Sequence, residues 1–114
     1  MIALILLLLS SPNAHACKCA ETKIEENFAA SDVVATVKAR SASELEAIQV
    51  WKGGKKRKEL TVKPSGTDCD YTFTEGEKYL VFVHHNATSL CSGTKPLAEA
   101  NKDILWLKLR GLKK

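Results

Sequence analysis

The chain has 114 residues, with 17 Lys and Arg against 13 Asp and Glu, which gives a formal net charge of +4 at neutral pH. This length is enough for one domain and too short for two. A basic surplus of this size permits an acidic partner but does not demand one. No Ser/His/Asp set, Cys/His dyad, phosphate-binding loop or paired acidic motif stands out, so we expect neither an enzyme nor a cofactor.

The first residues predict an export signal. Ile2 to Leu9 is an almost unbroken Leu/Ile run, too short to span a bilayer, and Ser-Ser-Pro and the small-residue pattern Ala14-His15-Ala16 follow it. This is the order of a secretory signal peptide, although no Lys or Arg precedes Cys17. We therefore expect removal of residues 1–16, a mature domain at 17–114 without a membrane span, and a secreted or periplasmic location. A lipid-modified Cys17 is the alternative.

The four cysteines all follow the leader, and an even number in a small exported domain predicts two disulfides. A bond between Cys17 and Cys19 would close a very small, strained ring, so each should pair with one of the distant cysteines, Cys69 and Cys91. Residue spacing leaves both such pairings open. Either would fix the N-terminus of the mature domain, where chains usually fray. Because oxidised cysteines are not zinc ligands, we expect no metal site of the protein's own.

Two helices are predicted. Thr22, followed three residues later by a glutamate, is a capping-box pattern and predicts a short helix that ends about Ala30. An apolar stripe from Pro96 onwards, with basic residues at its far end, predicts a C-terminal helix that Asn101 or Asp103 would divide. Both helices are expected to cover the core.

The rest of the pattern predicts a mainly β domain. Period-two alternation or continuous apolarity with β-branched residues predicts strands at 32–40, 45–51, 59–63, 70–73 and 78–85. The last of these is apolar almost throughout, which indicates burial on both faces, one of them under a helix. Five short strands and two flanking helices favour an OB-fold-like closed β-barrel with the helices packed outside.

A basic, Gly-bearing segment joins the second and third predicted strands. Its cations are Lys52, Lys55, Lys56, Arg57 and Lys58. Clustered cations release counterions from polyanions, so polyanion binding is one interpretation, and a solvated hairpin tip is the favoured one. Because no aromatic residues are interleaved and no recognition-helix pattern follows, we expect no nucleic-acid partner.

Two smaller features lie near the end of the last predicted strand. His84 and His85 are adjacent, so in a strand they would point to opposite faces, and no Asp or Glu stands at ligand spacing beside them. We therefore do not expect them to share a metal ion. Asn86-Ala87-Thr88 is a glycosylation sequon, which matters only if the export route glycosylates.

Several short motifs occur in a fixed order between Cys17 and about Leu105. They are Cys17-x-Cys19, Phe28-Ala-Ala-Ser31-Asp32-Val33-Val34, Val50-Trp51-Lys52-Gly53, Cys69-Asp70-Tyr71-x-Phe73, Gly76-Glu77-Lys78-Tyr79-Leu80-Val81-Phe82 and Leu90-Cys91-Ser92-Gly93-Thr94-x-Pro96-Leu97. In this order, directly after a leader, they resemble the N-terminal domain of the tissue inhibitors of metalloproteinases. The resemblance implies a netrin-like OB-fold barrel. It also selects the pairing Cys17–Cys69 with Cys19–Cys91 from the two left open.

The resemblance further implies a function. In that family the α-amine and carbonyl oxygen of the first cysteine chelate the active-site zinc of a metalloprotease and displace the attacking water. Cys17 would then be the chelating residue, and the inhibitory ridge around it would be formed by Lys18, Cys19, Ala20, Thr67 and Asp68. Lys18 stands where the family usually carries a small or hydroxylated residue.

The expected function is therefore that of an exported metalloprotease inhibitor, with a zinc metalloprotease as its partner. The alternative is a netrin-like extracytoplasmic binding module that holds a protein or a polyanion and inhibits no protease. A lipid-anchored version of that module is a further alternative. A free Cys17 amine is required by the first hypothesis, and salt-sensitive polyanion binding would support the second.

Overall fold

The computed structural model describes residues 17–54 and 56–112, so the predicted leader, Lys55 and the last two residues lie outside the described residues. In chain order the elements are α1 (Ile24–Ala30), β1 (Val33–Ala39), β2 (Glu44–Lys52), β3 (Glu59–Thr61), β4 (Lys78–Val83), β5 (Lys95–Pro96) and α2 (Asn101–Leu112). A 3₁₀ turn, Leu97–Glu99, precedes α2. The fold is thus mainly β with two helices, as predicted.

The strands form one five-stranded antiparallel sheet in the order β3-β2-β1-β4-β5. β1 lies at its centre. It pairs with β4 on one side, where Val34 lies opposite Phe82, and with β2 on the other side, where the register of the pairing shifts twice. The prediction of a closed barrel is wrong: in the part of the chain that the structure describes, β3 and β5 are the edges of an open sheet.

Three segments keep the sheet open, namely residues 70–73, β5 and β3. The strand predicted at 70–73 does not form; the segment contributes only a single bridge between Asp70 and Ser89, because the residues before it are held in a polar loop. At one edge of the sheet β5 has only two residues, and Pro96 has no N–H to donate to a further strand. With β3 also limited to three residues, the two edges are too short to meet.

Apolar side chains cover both faces of the sheet. One cluster combines alternate residues of β1 and β4 with residues from β2, β3 and the following loops, namely Val33, Ala35, Val37, Ala39, Leu45, Leu60, Val62, Phe73, Tyr79, Val81 and Val83. The other lies under the helices and contains Phe28, Val34, Leu80, Phe82, Ala100 and Leu107. The predicted burial of β4 on both faces, with helices over one of them, is confirmed.

The helices begin slightly later than predicted. The N-cap of α1 is Lys23, whose N–H donates to Glu26 Oε1 at 2.9 Å, so the returning glutamate is one residue further along than the capping-box pattern suggested. The predicted division of the C-terminal helix is confirmed at Asn101, where α2 starts after the 3₁₀ turn. Among the described residues, neither helix is both long enough and apolar enough to cross a bilayer.

The packing of α1 is centred on Phe28. Its ring meets Trp106 of α2 edge to face, with centroids 5.5 Å apart, and lies 4.6 Å from the guanidinium carbon of Arg110. Lys52 Nζ approaches the same ring at 4.9 Å and donates to the Phe28 carbonyl oxygen at 2.7 Å. These contacts join both helices to the end of β2 and hold α1 against the sheet.

Candidate functional site

Two neighbouring disulfides fix the start of the described chain. Cys17 bonds to Cys69 and Cys19 bonds to Cys91, each with Cα atoms 5.0 Å apart. The bridges lie side by side, because Cys17 Sγ is 3.5 Å from Cys91 Sγ. The prediction of two disulfides and the pairing that the resemblance implied are both confirmed. Since every cysteine is oxidised, none offers a thiolate to a metal.

Between and after these bonds the N-terminal segment is open to solvent. Cys17 is half-buried, whereas Lys18, Cys19 and Ala20 are exposed. A residue held on both sides by a covalent bridge loses most of the backbone freedom of an ordinary chain end. Lys18 therefore presents an exposed side chain from a constrained backbone.

The loop that carries Cys69 is ordered by its own hydrogen bonds. The Asp70 carboxylate accepts from the Ser65 N–H at 2.9 Å, from the Ser65 hydroxyl and from the Gly66 N–H at 3.1 Å. The Ser65 hydroxyl, followed by these N–H groups, holds the pKa of Asp70 below its ordinary value. Thr67 Oγ1 in turn accepts from the Cys69 N–H at 3.2 Å. This polar turn presents Thr67 and Asp68 exposed, just before the cysteine that bonds Cys17.

A buried hydroxyl cluster fixes the second anchor. Thr94 Oγ1 accepts from the Phe82 N–H of β4 at 2.9 Å and lies 2.6 Å from Thr88 Oγ1, which is 2.8 Å from Ser92 Oγ. Through this cluster the segment that carries Cys91 is attached to the centre of the sheet. Sequence reasoning missed it, although the density of Ser and Thr between residues 88 and 94 was a usable signal.

A further contact joins the two anchoring segments directly, since the Leu90 N–H donates to the Cys69 carbonyl oxygen at 2.7 Å. Residues 17–20, 64–70 and 88–94 are thus connected by two disulfides and by backbone hydrogen bonds, and we call them the disulfide edge. All the residues predicted for the inhibitory ridge lie in it, namely Cys17, Lys18, Cys19, Ala20, Thr67 and Asp68.

The predicted polyanion-binding cations do not form one free group. Lys52 is engaged with the Phe28 carbonyl oxygen, and Arg57 Nε donates to the Gly53 carbonyl oxygen at 3.3 Å. Lys56 and Lys58 are exposed, and Lys55 lies outside the described residues. Polyanion binding by this loop stays a prediction. Fewer of its cations are free of hydrogen bonds within the protein than the sequence indicated.

The histidine pair differs from the expectation. β4 ends at Val83, and His84 to Ala87 form a two-residue hairpin turn, with φ of 50° at His85 and 65° at Asn86. Strand alternation therefore does not apply, and the two imidazole rings stack with centroids 3.8 Å apart. The prediction that they point to opposite faces is wrong.

An acid also lies beside this pair, from a segment far away in the sequence. Asp32 Oδ2 accepts from the His85 N–H at 2.7 Å and lies 3.4 Å from His84 Nδ1. The His85 N–H, with smaller contributions from the two imidazoles, holds the pKa of Asp32 below its ordinary value. No sequence signal marks this neighbour, because β-sheet pairing brings it to the turn.

Comparisons of the chain with protein-family models, with curated proteins and with solved structures found no match. Function is therefore inferred from the geometry of the disulfide edge together with the motifs in the sequence.

Proposed function

We propose that this protein is an exported inhibitor of zinc metalloproteases and a relative of the tissue inhibitors of metalloproteinases, with a netrin-like domain at residues 17–114. The observation that carries the proposal is the double anchoring of the N-terminal segment, which leaves Lys18 to Ala20 exposed beside the exposed pair Thr67 and Asp68. Two disulfides in a small domain are typical of extracytoplasmic proteins, which agrees with export of the chain.

The proposed chemistry needs only the backbone of Cys17. A catalytic zinc keeps one position for water and can expand to five-coordinate, so a neutral α-amine and the carbonyl oxygen of the same residue would bind it together in place of the water. Displacement of the water removes the nucleophile of peptide hydrolysis. Because the cysteine side chain is consumed in a disulfide, only this amine and carbonyl of Cys17 remain as strong donors.

Anchoring lowers the cost of binding. An unconstrained chain end would lose backbone and side-chain freedom in the protease cleft, at about 0.5–1.5 kcal/mol for each flexible side chain that is ordered. Here the bonds to Cys69 and Cys91 order the segment before it meets a partner. The hydrogen bonds of Asp70 do the same for the loop with Thr67 and Asp68.

Lys18 then sets the class of target. It is exposed in the free protein, and in the complex it would enter the pocket of the protease that normally receives a substrate side chain. An ammonium group left unpaired in an apolar pocket is strongly disfavoured, so the target is a metalloprotease with an acidic or water-filled pocket at that point.

The proposal requires a free α-amine at Cys17. Intact mass and N-terminal sequencing of the exported protein, with and without reduction, should give a chain that begins at Cys17 and gains four hydrogens on reduction of its two disulfides. That material should inhibit members of a zinc metalloprotease panel, those with acidic pockets most strongly. An acylated Cys17 or a retained leader would rule out the amine as a ligand.

A further inference from the structure

A second cluster of potential ligands lies outside the disulfide edge. Asp32, His84 and His85 each offer one donor atom, and these atoms all lie within 4.8 Å of one another. All three residues are exposed, so a dissolved ion reaches them without any opening of the fold.

The backbone holds the three residues in place. His84 and Ala87 exchange two backbone hydrogen bonds across the turn, at 2.8 and 3.0 Å, and the Asp32 N–H donates to the Val83 carbonyl oxygen at 2.7 Å. The carboxylate of Asp32 is then oriented by the His85 N–H. The end of the sheet thus fixes the Cα positions, while the imidazole side chains remain free to change rotamer in solvent.

We infer that Asp32, His84 and His85 bind a divalent first-row transition metal, such as Zn²⁺, Ni²⁺ or Cu²⁺, on the surface of the protein. Two imidazoles and one carboxylate suit this group of ions, whereas Ca²⁺ and Mg²⁺ prefer oxygen ligands alone. Water would complete the coordination. When the three ions are compared under the same conditions, the affinity of the site for Cu²⁺ should exceed its affinity for Zn²⁺ or Ni²⁺.

One rearrangement is required. The lone pair of an imidazole nitrogen lies in the ring plane, and rings that stack at 3.8 Å with 24° between their planes cannot both aim at one ion about 2.0–2.1 Å away. At least one ring must turn out of the stack. Because both side chains are exposed, this change meets no packed neighbour, and loss of ring stacking is a measurable sign of binding.

The test uses untagged protein with its disulfides intact, titrated with Zn²⁺, Ni²⁺ or Cu²⁺ by calorimetry and, for Zn²⁺, by two-dimensional NMR. We expect one ion per chain and shifts centred on the amides of Asp32 and of the turn from His84 to Ala87. The variants D32N, H84Q and H85N should each weaken binding by at least about tenfold. Asn at position 85 tolerates the positive φ of the turn, and Asn at position 32 still accepts the His85 N–H.

Two controls make the outcome decisive. E25Q removes an exposed carboxylate on α1 and should leave the affinity unchanged. Acetylation of the Cys17 α-amine should also leave it unchanged, because that amine belongs to the disulfide edge. Absence of binding, binding by D32N and H84Q as tight as that of the parent protein, or loss of binding on acetylation would each overturn the site. The test involves no protease, so its failure leaves the proposed inhibition untouched.

Discussion

The disulfide edge and the centre of the sheet are held together by different forces. β1 and β4 are ordered by apolar burial on two faces, with Leu80 and Val81 fully buried on opposite sides. The disulfide edge exposes half of its residues, Lys18 to Ala20 and Pro64 to Asp68 among them, and is ordered by covalent bonds and hydrogen bonds between short polar segments. The difference shows how a small domain presents a rigid exposed segment: its order does not depend on burying the residues that must meet a partner.

The largest effect is expected from removal of a bridge. The double variant C17S/C69S opens a loop of 52 residues and should lose about 4 kcal/mol of unfolding free energy in the chain-entropy treatment. Far-UV circular dichroism should change little, because the sheet core contains no cysteine. Urea unfolding measures the loss, and C19S/C91S is the matched comparison. An unchanged urea midpoint would contradict the importance of the bridge.

A truncation in the sheet core should lower the free energy of unfolding slightly less than the loss of a disulfide does. It tests the centre of the sheet rather than the disulfide edge. L80A leaves a cavity at a fully buried position between the sheet and the helices, so we expect a loss of about 3 kcal/mol. L105A, at a side chain 58% exposed on α2, is the control and should stay within about 0.5 kcal/mol of the parent. Equal effects of the two variants in urea unfolding would mean that the helices do not pack as described.

The hydroxyl cluster connects the two regions, and a change there should have an intermediate effect. T94V keeps the side-chain shape but leaves the Phe82 N–H without its acceptor, which costs about 1–3 kcal/mol for a buried donor. T94S retains the hydroxyl and should retain most of the stability. In hydrogen exchange, the Phe82 amide should lose protection in T94V, and retained protection would show that another group accepts this bond.

The smallest expected effect is on the way the free energy of unfolding changes with pH, and it comes from Asp70. Because hydrogen bonds to its charged form lower the pKa of Asp70, its contribution to stability is present above the unfolded-state pKa of about 4 and is lost as the pH falls through the lower folded-state value. D70N should therefore flatten the decline of stability below about pH 4. Thermal unfolding between acid and neutral pH measures this slope, with D68N as the exposed control in the same loop. A parallel pH profile for D70N and the parent would refute the assignment.

Much of the fold could be predicted from the sequence. The patterns of apolar and β-branched residues located β1, β2 and β4, and the continuous apolarity of β4 correctly indicated its burial on both faces. These signals lie within each strand, so they can be interpreted without knowing which strands pair with one another. Closure of the sheet is not local: it depends on whether the edge strands reach each other, and a two-residue β5 that ends in Pro96 does not.

At the candidate site, too, local features could be predicted from the sequence and contacts between distant segments could not. Cysteine number and spacing predicted two long-range disulfides, but the choice between two pairings needed the resemblance, because spacing carries no geometric information about distant segments. The contact of Asp32 with His84 and His85 had no sequence signal at all. It arises from the pairing of β1 with β4, which places the residue before one strand beside the turn after the other.

The most direct measurement compares two forms of the protein that differ by one residue at the N-terminus. The form that begins at Cys17 and the form with a single alanine ahead of it should have the same disulfides and unfolding midpoint. Against a zinc metalloprotease that the first form inhibits, we predict that the second is at least about a thousandfold weaker, a loss of about 4 kcal/mol from a metal ligand. Inhibition by the first form should also weaken below about pH 8, as the amine is protonated. Equal inhibition by the two forms would contradict chelation by the Cys17 amine.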